Sequence, residues 1–243
     1  MSEINSIKQG RPIIIIDGFN NFLRHFFVNQ EVTTTSIPIG GAIGFMKFVK
    51  SITDAFCPSK MFIVWEAGGP SPRRKKIAPN YKANRAKVKE FKKMQAGTAS
   101  MRDTLALDNE NRIYQLTVLN KLLKTTPACQ IFVQETEADD IIGHLVQSKL
   151  KLVNSKKIIV SNDKDFYQLL EDPSVVIYDQ AKKILIDEKY VLETTGISPR
   201  NFCIAKSLSG DPSDNIEGVS GVGFKTVSKR FPVLANTEKD IDI

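Results

Sequence analysis

The sequence predicts a doubly wound α/β fold, and three observations lead there. Short apolar runs rich in Ile and Val alternate with stretches of helical periodicity. The first four runs are continuously apolar, as strands buried on both faces of a parallel sheet are. At 243 residues and 42% hydrophobic, the chain is large enough to bury a sizeable core.

In order, the expected strands are "PIIIID" (12–17), "KMFIVW" (60–65), "QIFVQ" (130–134), "KIIVS" (157–161), "VVIY" (175–178) and "ILID" (184–187). Helical patterns fall at 38–56, 111–124 and 138–150. In the last, Ile141, Ile142, Leu145 and Val146 make one apolar stripe. Residues 70–104 are different: three prolines, many charges, and few apolar residues apart from Phe91 and Met94. That stretch reads as an excursion from the core, helical from about residue 82. After 196–199, "GISP", short helices at "RNFCIAKSLSG" and "GFKTVSKRF" flank a glycine-rich stretch. The expected division is therefore a sheet domain over 1–195, with 70–104 as an insertion, and a helical module over 196–243.

The charge is localised. Residues 73–93 hold ten Lys or Arg and one Glu, a local +9 against a total of +7, so the rest of the chain carries −2. A solvated helix face is the ordinary reading of a Lys-rich stretch. A block this unbalanced repels itself unless a polyanion neutralises it, which points to nucleic acid.

In parallel sheets, function gathers beyond the C-terminal ends of the strands. Asp17 ends the first strand and Glu66 follows the second. Glu137, Asp139 and Asp140 come shortly after the third, Asp163 and Asp165 just after the fourth, and Asp211 and Asp214 open the glycine-rich stretch. Each has a plainer explanation. "TEAD" fits a capping box with Thr136 as N-cap, and Asp163 suits the cap of the helix that follows. Together, carboxylates converging on one sheet edge repel strongly unless cations sit among them. All-oxygen ligation favours Mg²⁺ or Mn²⁺ over zinc, and two such ions ~4 Å apart can activate water for phosphodiester cleavage. His25 and His144 fall within helical patterns away from these ends and read as structural.

"GDPSDNIEGVSGVGFKT" (210–226) superficially resembles a phosphate-binding P-loop. Gly218 and Gly223 have the spacing, but Phe224 stands in the lysine's place, Lys225 and Thr226 come one residue late, and no buried strand precedes. A helix–hairpin–helix turn fits better. Gly221 and Gly223 let backbone approach a phosphate, and the following helix N-terminus and Lys225 offer donors and charge.

"IIDGFN", "NYKANR", "EADD", "SNDKDF" and "GDPSDNIEGVSGVGFKT" stand in the order found in structure-specific 5′-nucleases, the flap endonucleases and 5′–3′ exonucleases. Over about residues 12–231 the chain resembles the bacteriophage and bacterial branch of that family. The resemblance implies a PIN-like, mostly parallel sheet with a helix–three-turn–helix module. It implies hydrolysis of DNA at 5′ flaps or 5′ ends in replication or repair, extending to RNA-primer removal. Asp17, Glu137, Asp139 and Asp163 would surround one Mg²⁺ or Mn²⁺, with Asp165, Asp211 and Asp214 nearer a second. Asp140 would belong to the shared acidic site, and a K⁺ would sit at the hairpin turn. The catalytic set would be Lys82, Arg85, Asp163 and Asp165. DNA contacts would come from Arg73, Arg74, Tyr81 (by stacking on a base), Lys82, Arg85, Lys206, Gly221, Gly223, Lys225 and Thr226, and the basic block would be the family's arch. Two departures are visible: Glu66 stands where the family usually has Asp, and the chain ends at Ile243 where the family usually continues for several helices.

The implied partner is branched, flapped or 5′-ended duplex DNA, or an RNA–DNA hybrid, with a polymerase or single-strand-binding protein beside a monomeric enzyme. Exonuclease and flap preference both stay open. A PIN-type ribonuclease and a non-catalytic DNA-binding accessory protein are the rivals. A haloacid-dehalogenase-type phosphatase needs a second Asp where this chain has Phe19. The sequence has no run of about eighteen apolar residues and no secretory h-region. Cys57, Cys129 and Cys203 are far apart and read as buried thiols of a reducing cytosol, that of a host cell if the chain is phage-encoded.

Overall fold

Isoleucines build the centre of the sheet. In β1 (Ile13–Asp17), Ile13 and Ile15 point to one face and Ile14 and Ile16 to the other, and all four are buried. A strand apolar on both sides must be covered on both sides, and helices pack on each face. The computed structural model describes residues 7–66, 72–84, 99–150 and 153–236. Its sheet runs β3-β2-β1-β4-β5-β6. The other strands are β2 (Lys60–Trp65), β3 (Cys129–Phe132), β4 (Lys157–Val160), β5 (Val175–Asp179) and β6 (Ile184–Ile186). Strands β1 to β5 are parallel, and β6 returns antiparallel to β5. The expected mostly parallel α/β sheet is borne out.

Helices α1 (Gly18–Val28), α2 (Gly40–Phe56) and α4 (Ala99–Leu123) cover one face, around Phe22, Phe45, Phe56, Trp65, Leu119 and Leu123. The other face takes α5 (Ala138–His144), a 3₁₀ segment (Lys164–Glu171), α6 (Glu188–Thr195), α7 (Phe202–Ser209) and α8 (Phe224–Arg230). Phe202, Ala205, Val227 and Leu234 share a core with Ile141, Ile142 and Phe166 beneath the sheet. Phe202 stacks on Phe224 at 5.0 Å between centroids. The C-terminal helices are thus cemented to the sheet domain by common apolar burial. A short helix, α3 (Pro72–Ile77), buries nothing and stands outside both cores.

The chain crosses β1 outward to β2 and β3, then returns to the opposite side of β1 with β4. The strand order therefore reverses between β1 and β4, and a crevice opens there beyond their C-terminal ends. Asn21, buried in α1, spans that point. Its amide donates to the carbonyls of Asp17 (2.8 Å) and Val160 (3.1 Å), tying the two strand ends together.

Several expectations are corrected. Strand β3 is not buried on both faces: it is the sheet's edge, and Phe132 is 62% exposed. The helix expected over 111–124 begins at Ala99, and Pro72–Ile77 is helical, so 70–104 contains regular structure at both ends. The helix expected from about residue 82 falls largely on 85–98, outside the described residues. The stripe over 138–150 is α-helical only to His144 and widens to a π turn over Leu145–Lys149. The three cysteines are exposed rather than buried, because each sits at an element end or on a helix's outer side. Among the described residues no helix is long and apolar enough to cross a membrane.

Candidate active site

Three of the predicted acids serve as helix caps, and the caps set their geometry. Asp17 accepts from Asn20 N at the start of α1 (3.2 Å). Asp163 accepts from Asp165 N at the start of the 3₁₀ segment (2.9 Å). One oxygen of Asp211 accepts from Ser213 N (2.9 Å), Asp214 N (3.3 Å) and Ser213 Oγ (2.6 Å). Capping fixes each carboxylate's rotamer, so the ordinary and the functional readings of these residues are compatible. Thr136 is not the cap of α5, however. Glu137 occupies that position, and its side chain makes no cap bond but turns into the site.

Glu137 is only 3% exposed and, among the described residues, accepts from Arg74 Nη1 (2.8 Å), Tyr81 Oη (3.0 Å) and Lys82 Nζ (2.5 Å). Arg74 also donates to Asp139 (3.3 Å), Asp140 (2.7 Å) and Tyr81 Oη (2.7 Å). Its guanidinium is the hub of the first acid cluster, which raises its pKa against the opposing effect of burial. Across the crevice, Lys206 on α7 donates to both Asp165 and Asp211, the latter at 2.8 Å. Burial works against it, but the Lys206 and Ser213 hydrogen bonds hold the Asp211 carboxyl down at about 2.

Asp17 lies between these clusters. Burial pushes its carboxyl up to about 7, and the negative charges of Asp163, Glu66 and Asp139 push the same way. Asp139 and Asp163 are raised too, first by burial and then with a contribution from neighbouring carboxylates. The four strand ends therefore do deliver their acids into one shared field.

The segment 80–84 docks on the turn 211–215. Lys82 N donates to Asp214 O (2.8 Å), Asn84 Nδ2 to Pro212 O (2.9 Å) and Asn215 Nδ2 to Asn80 O (2.9 Å). The turn itself is a closed loop. Asp211 and Ile216 exchange backbone hydrogen bonds, and Gly210 and Gly218 meet so closely that a Cβ on Gly210 would lie 2.3 Å from Gly218 N. Gly218, one of the two glycines with P-loop spacing, thus forms the neck of this loop with Gly210. Gly221, at φ 73°, makes the left-handed step before α8. A side chain there or at Gly223 would meet only open space.

Of the remaining residues, Arg73 is exposed in the first turn of α3, and Lys225 and Thr226 lie in the first turn of α8. Arg85 falls outside the described residues. Tyr81 does not offer its ring for stacking on a base. It is 4% exposed, with the Lys82 ammonium 4.9 Å from its ring centroid and its hydroxyl committed to Glu137. Arg74 and Lys206, expected to face DNA, point into the acids, because unneutralised carboxylates attract the nearest cations. His144 is closer to the site than its helical pattern suggests, since it lines a groove with Asp139, Asp140 and Asp165. Sequence reasoning assigned no role to Asn21, Asn84 or Asn215; their traces were "NN" after the first strand, the asparagine inside "NYKANR" and "DN" in the turn.

The donor set is all carboxylate oxygen, the chemistry of hard divalent ions, and among the described residues the carboxylates outnumber Arg74, Lys82 and Lys206, the cations that pair with them. Among the described residues, no three His, Cys, Asp or Glu side chains stand arranged to hold an ion directly while Arg74, Lys82 and Lys206 occupy their oxygens.

Residues 12–196 match the sequence model of the 5′–3′ exonuclease, N-terminal resolvase-like domain. The chain belongs to the 5′–3′ exonuclease family. The expected 5′-nuclease function is borne out with it. A 5′–3′ exonuclease of Buchnera aphidicola subsp. Schizaphis graminum is 32% identical over 237 residues, covering 96% of this chain and 75% of that one. Phage T5 5′-exonuclease with bound zinc superposes with a TM-score of 0.72 at 21% identity, over 90% of this chain and 75% of that one. A T5 flap endonuclease in a pseudo-enzyme–product complex with DNA and metal ions gives 0.71 at 21%, with the same coverages.

Proposed function

We propose that this nuclease hydrolyses phosphodiester bonds at 5′ flaps or 5′ ends of DNA in replication or repair, using Mg²⁺ or Mn²⁺ held by the acids at the β1–β4 crevice. The observation that carries this reading is the meeting of carboxylates from four strand ends, where Asp163, Glu66 and Asp139 oppose the charge of Asp17, with Asp211 of the adjoining turn joined to Asp165 through Lys206. Asp17, Glu137, Asp139 and Asp163 would hold one ion, and Asp165, Asp211 and Asp214 a second, with Glu66 and Asp140 in support. Bound ions lower the pKa of water and neutralise charge on phosphate oxygens. The bound zinc of the T5 exonuclease and the DNA of the T5 complex support both partners for this chain.

The other tasks fall to the chain. Lys82, and Arg85 beside it, offset charge that develops on the scissile phosphate. The capped carboxylates stay fixed, so little reorganisation accompanies reaction. Ion entry requires Arg74, Lys82 and Lys206 to release their carboxylates, which frees all three cations for the DNA. The basic stretch within 70–104 serves as an arch over the catalytic unit 1–195. The module 196–243 grips duplex through a helix–hairpin–helix turn at Gly221, Gly223, Lys225 and Thr226, with K⁺ at that turn.

Asp163→Asn combined with Asp165→Asn tests the reading. Asparagine still caps a helix, so the fold is kept while ligand charge is lost. Cleavage of a labelled 5′ flap in Mg²⁺ is expected to fall to background while flap binding persists. Full activity in the double variant would sink the proposal. A blunt duplex run alongside separates exonuclease from flap preference.

A further inference from the structure

We infer that Asn84 and Asn215 are positioning residues of the cleavage reaction: they strap the 80–84 segment to the 211–215 turn and thereby aim Lys82. The inference rests on the proposed role of Lys82 at the scissile phosphate.

Lys82 sits in an unusual backbone state. Its φ is 55°, in the left-handed region that disfavours a residue with a Cβ. Something must hold it there, and the structure shows what does. The Lys82 amide donates to Asp214 O at 2.8 Å, and the residues two before and two after are fastened as well. Asn215 Nδ2 reaches Asn80 O and Asn84 Nδ2 reaches Pro212 O, each at 2.9 Å. These three bonds cross a sequence separation of more than 125 residues, and α3 adds the bond from Arg74 to the Tyr81 hydroxyl next to Lys82.

The direction of the Lys82 side chain follows from that φ. A return to negative φ swings the Cα–Cβ bond and takes the ammonium away from Glu137, on which it now rests at 2.5 Å with only 9% of the side chain exposed. Asn215 is suited to its own place, since it lies at φ 59° and asparagine tolerates that region. The turn that receives the strap also carries Asp211 and Asp214, and the Gly210–Gly218 neck closes it. One rigid loop thus sets both the acids of the proposed second ion site and the position of the lysine.

A side chain that acts through another leaves a specific signature. Losing one such hydrogen bond costs about three- to tenfold in the step it supports. Asn84→Ala removes one strap. Asn215→Gly removes the other while keeping positive φ free of strain. Single-turnover cleavage of a saturating 5′ flap in Mg²⁺ is measured for each, in the native and the Lys82→Ala backgrounds, together with flap affinity and thermal melts. We expect the single-turnover rate constant to fall about three- to tenfold with affinity unchanged, and no further fall once Lys82 is absent. Equal losses in both backgrounds, or no loss in either, overturn the inference. If Lys82→Ala is slow while the asparagine variants match the native enzyme, only the strap fails. If Lys82→Ala is itself as fast as native, the role of Lys82 and the strap fall together.

Discussion

The two acid clusters that flank Asp17 are neutralised in different ways. On one side Glu137, 3% exposed, is surrounded by Arg74, Tyr81 and Lys82, which come from a segment more than fifty residues earlier that carries no core of its own. On the other, Asp165, 31% exposed, and Asp211 share Lys206, which lies on the helix leading directly into the Asp211 turn. At the heart of the first, Glu137 and Tyr81 are buried and Lys82 nearly so, and unpaired charge in so dry a site is costly. The second, Lys206 with Asp165 and Asp211, is partly exposed at all three side chains, and water screens it in part. The difference teaches which half is rigid without a partner ion and which yields first.

Three measurements on protein kept in a chelator sharpen that contrast, in falling order of effect. Glu137→Ala strands the buried Lys82 ammonium, and a loss of about 3 kcal/mol in unfolding free energy is expected. A change below ~1 kcal/mol would mean the cluster is not a unit. Asp17 comes next. Its folded carboxyl titrates near 7 and its unfolded one near 3.8, so between these values the native state binds the extra proton. Stability should therefore fall as pH rises from about 4 to 7, and Asp17→Asn should flatten that slope by an amount of order 2 kcal/mol. An unchanged slope would place Asp17 outside the shared field. Asp211 has the opposite sign: held at about 2, it contributes stability present above pH ~4 and lost as pH falls towards 2. Since that site is partly open to solvent, Asp211→Asn should cost only about 1 kcal/mol at neutral pH and nothing near pH 2. A penalty equal to that of Glu137→Ala would erase the distinction between the clusters.

Much of this was readable in the chain. Four buried strands announce themselves as unbroken Ile and Val runs, because a strand covered on both faces has no polar side. The edge strand β3 misled for the same reason: "QIFVQ" is apolar, yet composition does not say whether a neighbour follows. The acids were found because parallel strands all end at one edge. The cap at Asp163 was legible from spacing and the cap at Asp211 was not, whereas Thr136 lost its place to Glu137, whose carboxylate is drawn inward by Arg74, Tyr81 and Lys82. Tyr81 looked like a stacking platform beside a lysine, but burial under the cluster decided otherwise.

By itself the sequence determined the class of fold, the strand ends at which carboxylates would gather and the family to which the chain belongs. All of these depend on local apolar patterning and on motif order. Only the tertiary structure decided that the strand order reverses between β1 and β4, that Arg74 and Lys206 sit among the acids, and that Asn84 and Asn215 lash two segments together. The physical reason is range. Apolar periodicity and caps act over a few residues, while a hydrogen bond from Asn84 to Pro212 joins groups 128 residues apart and exists only once the chain is folded.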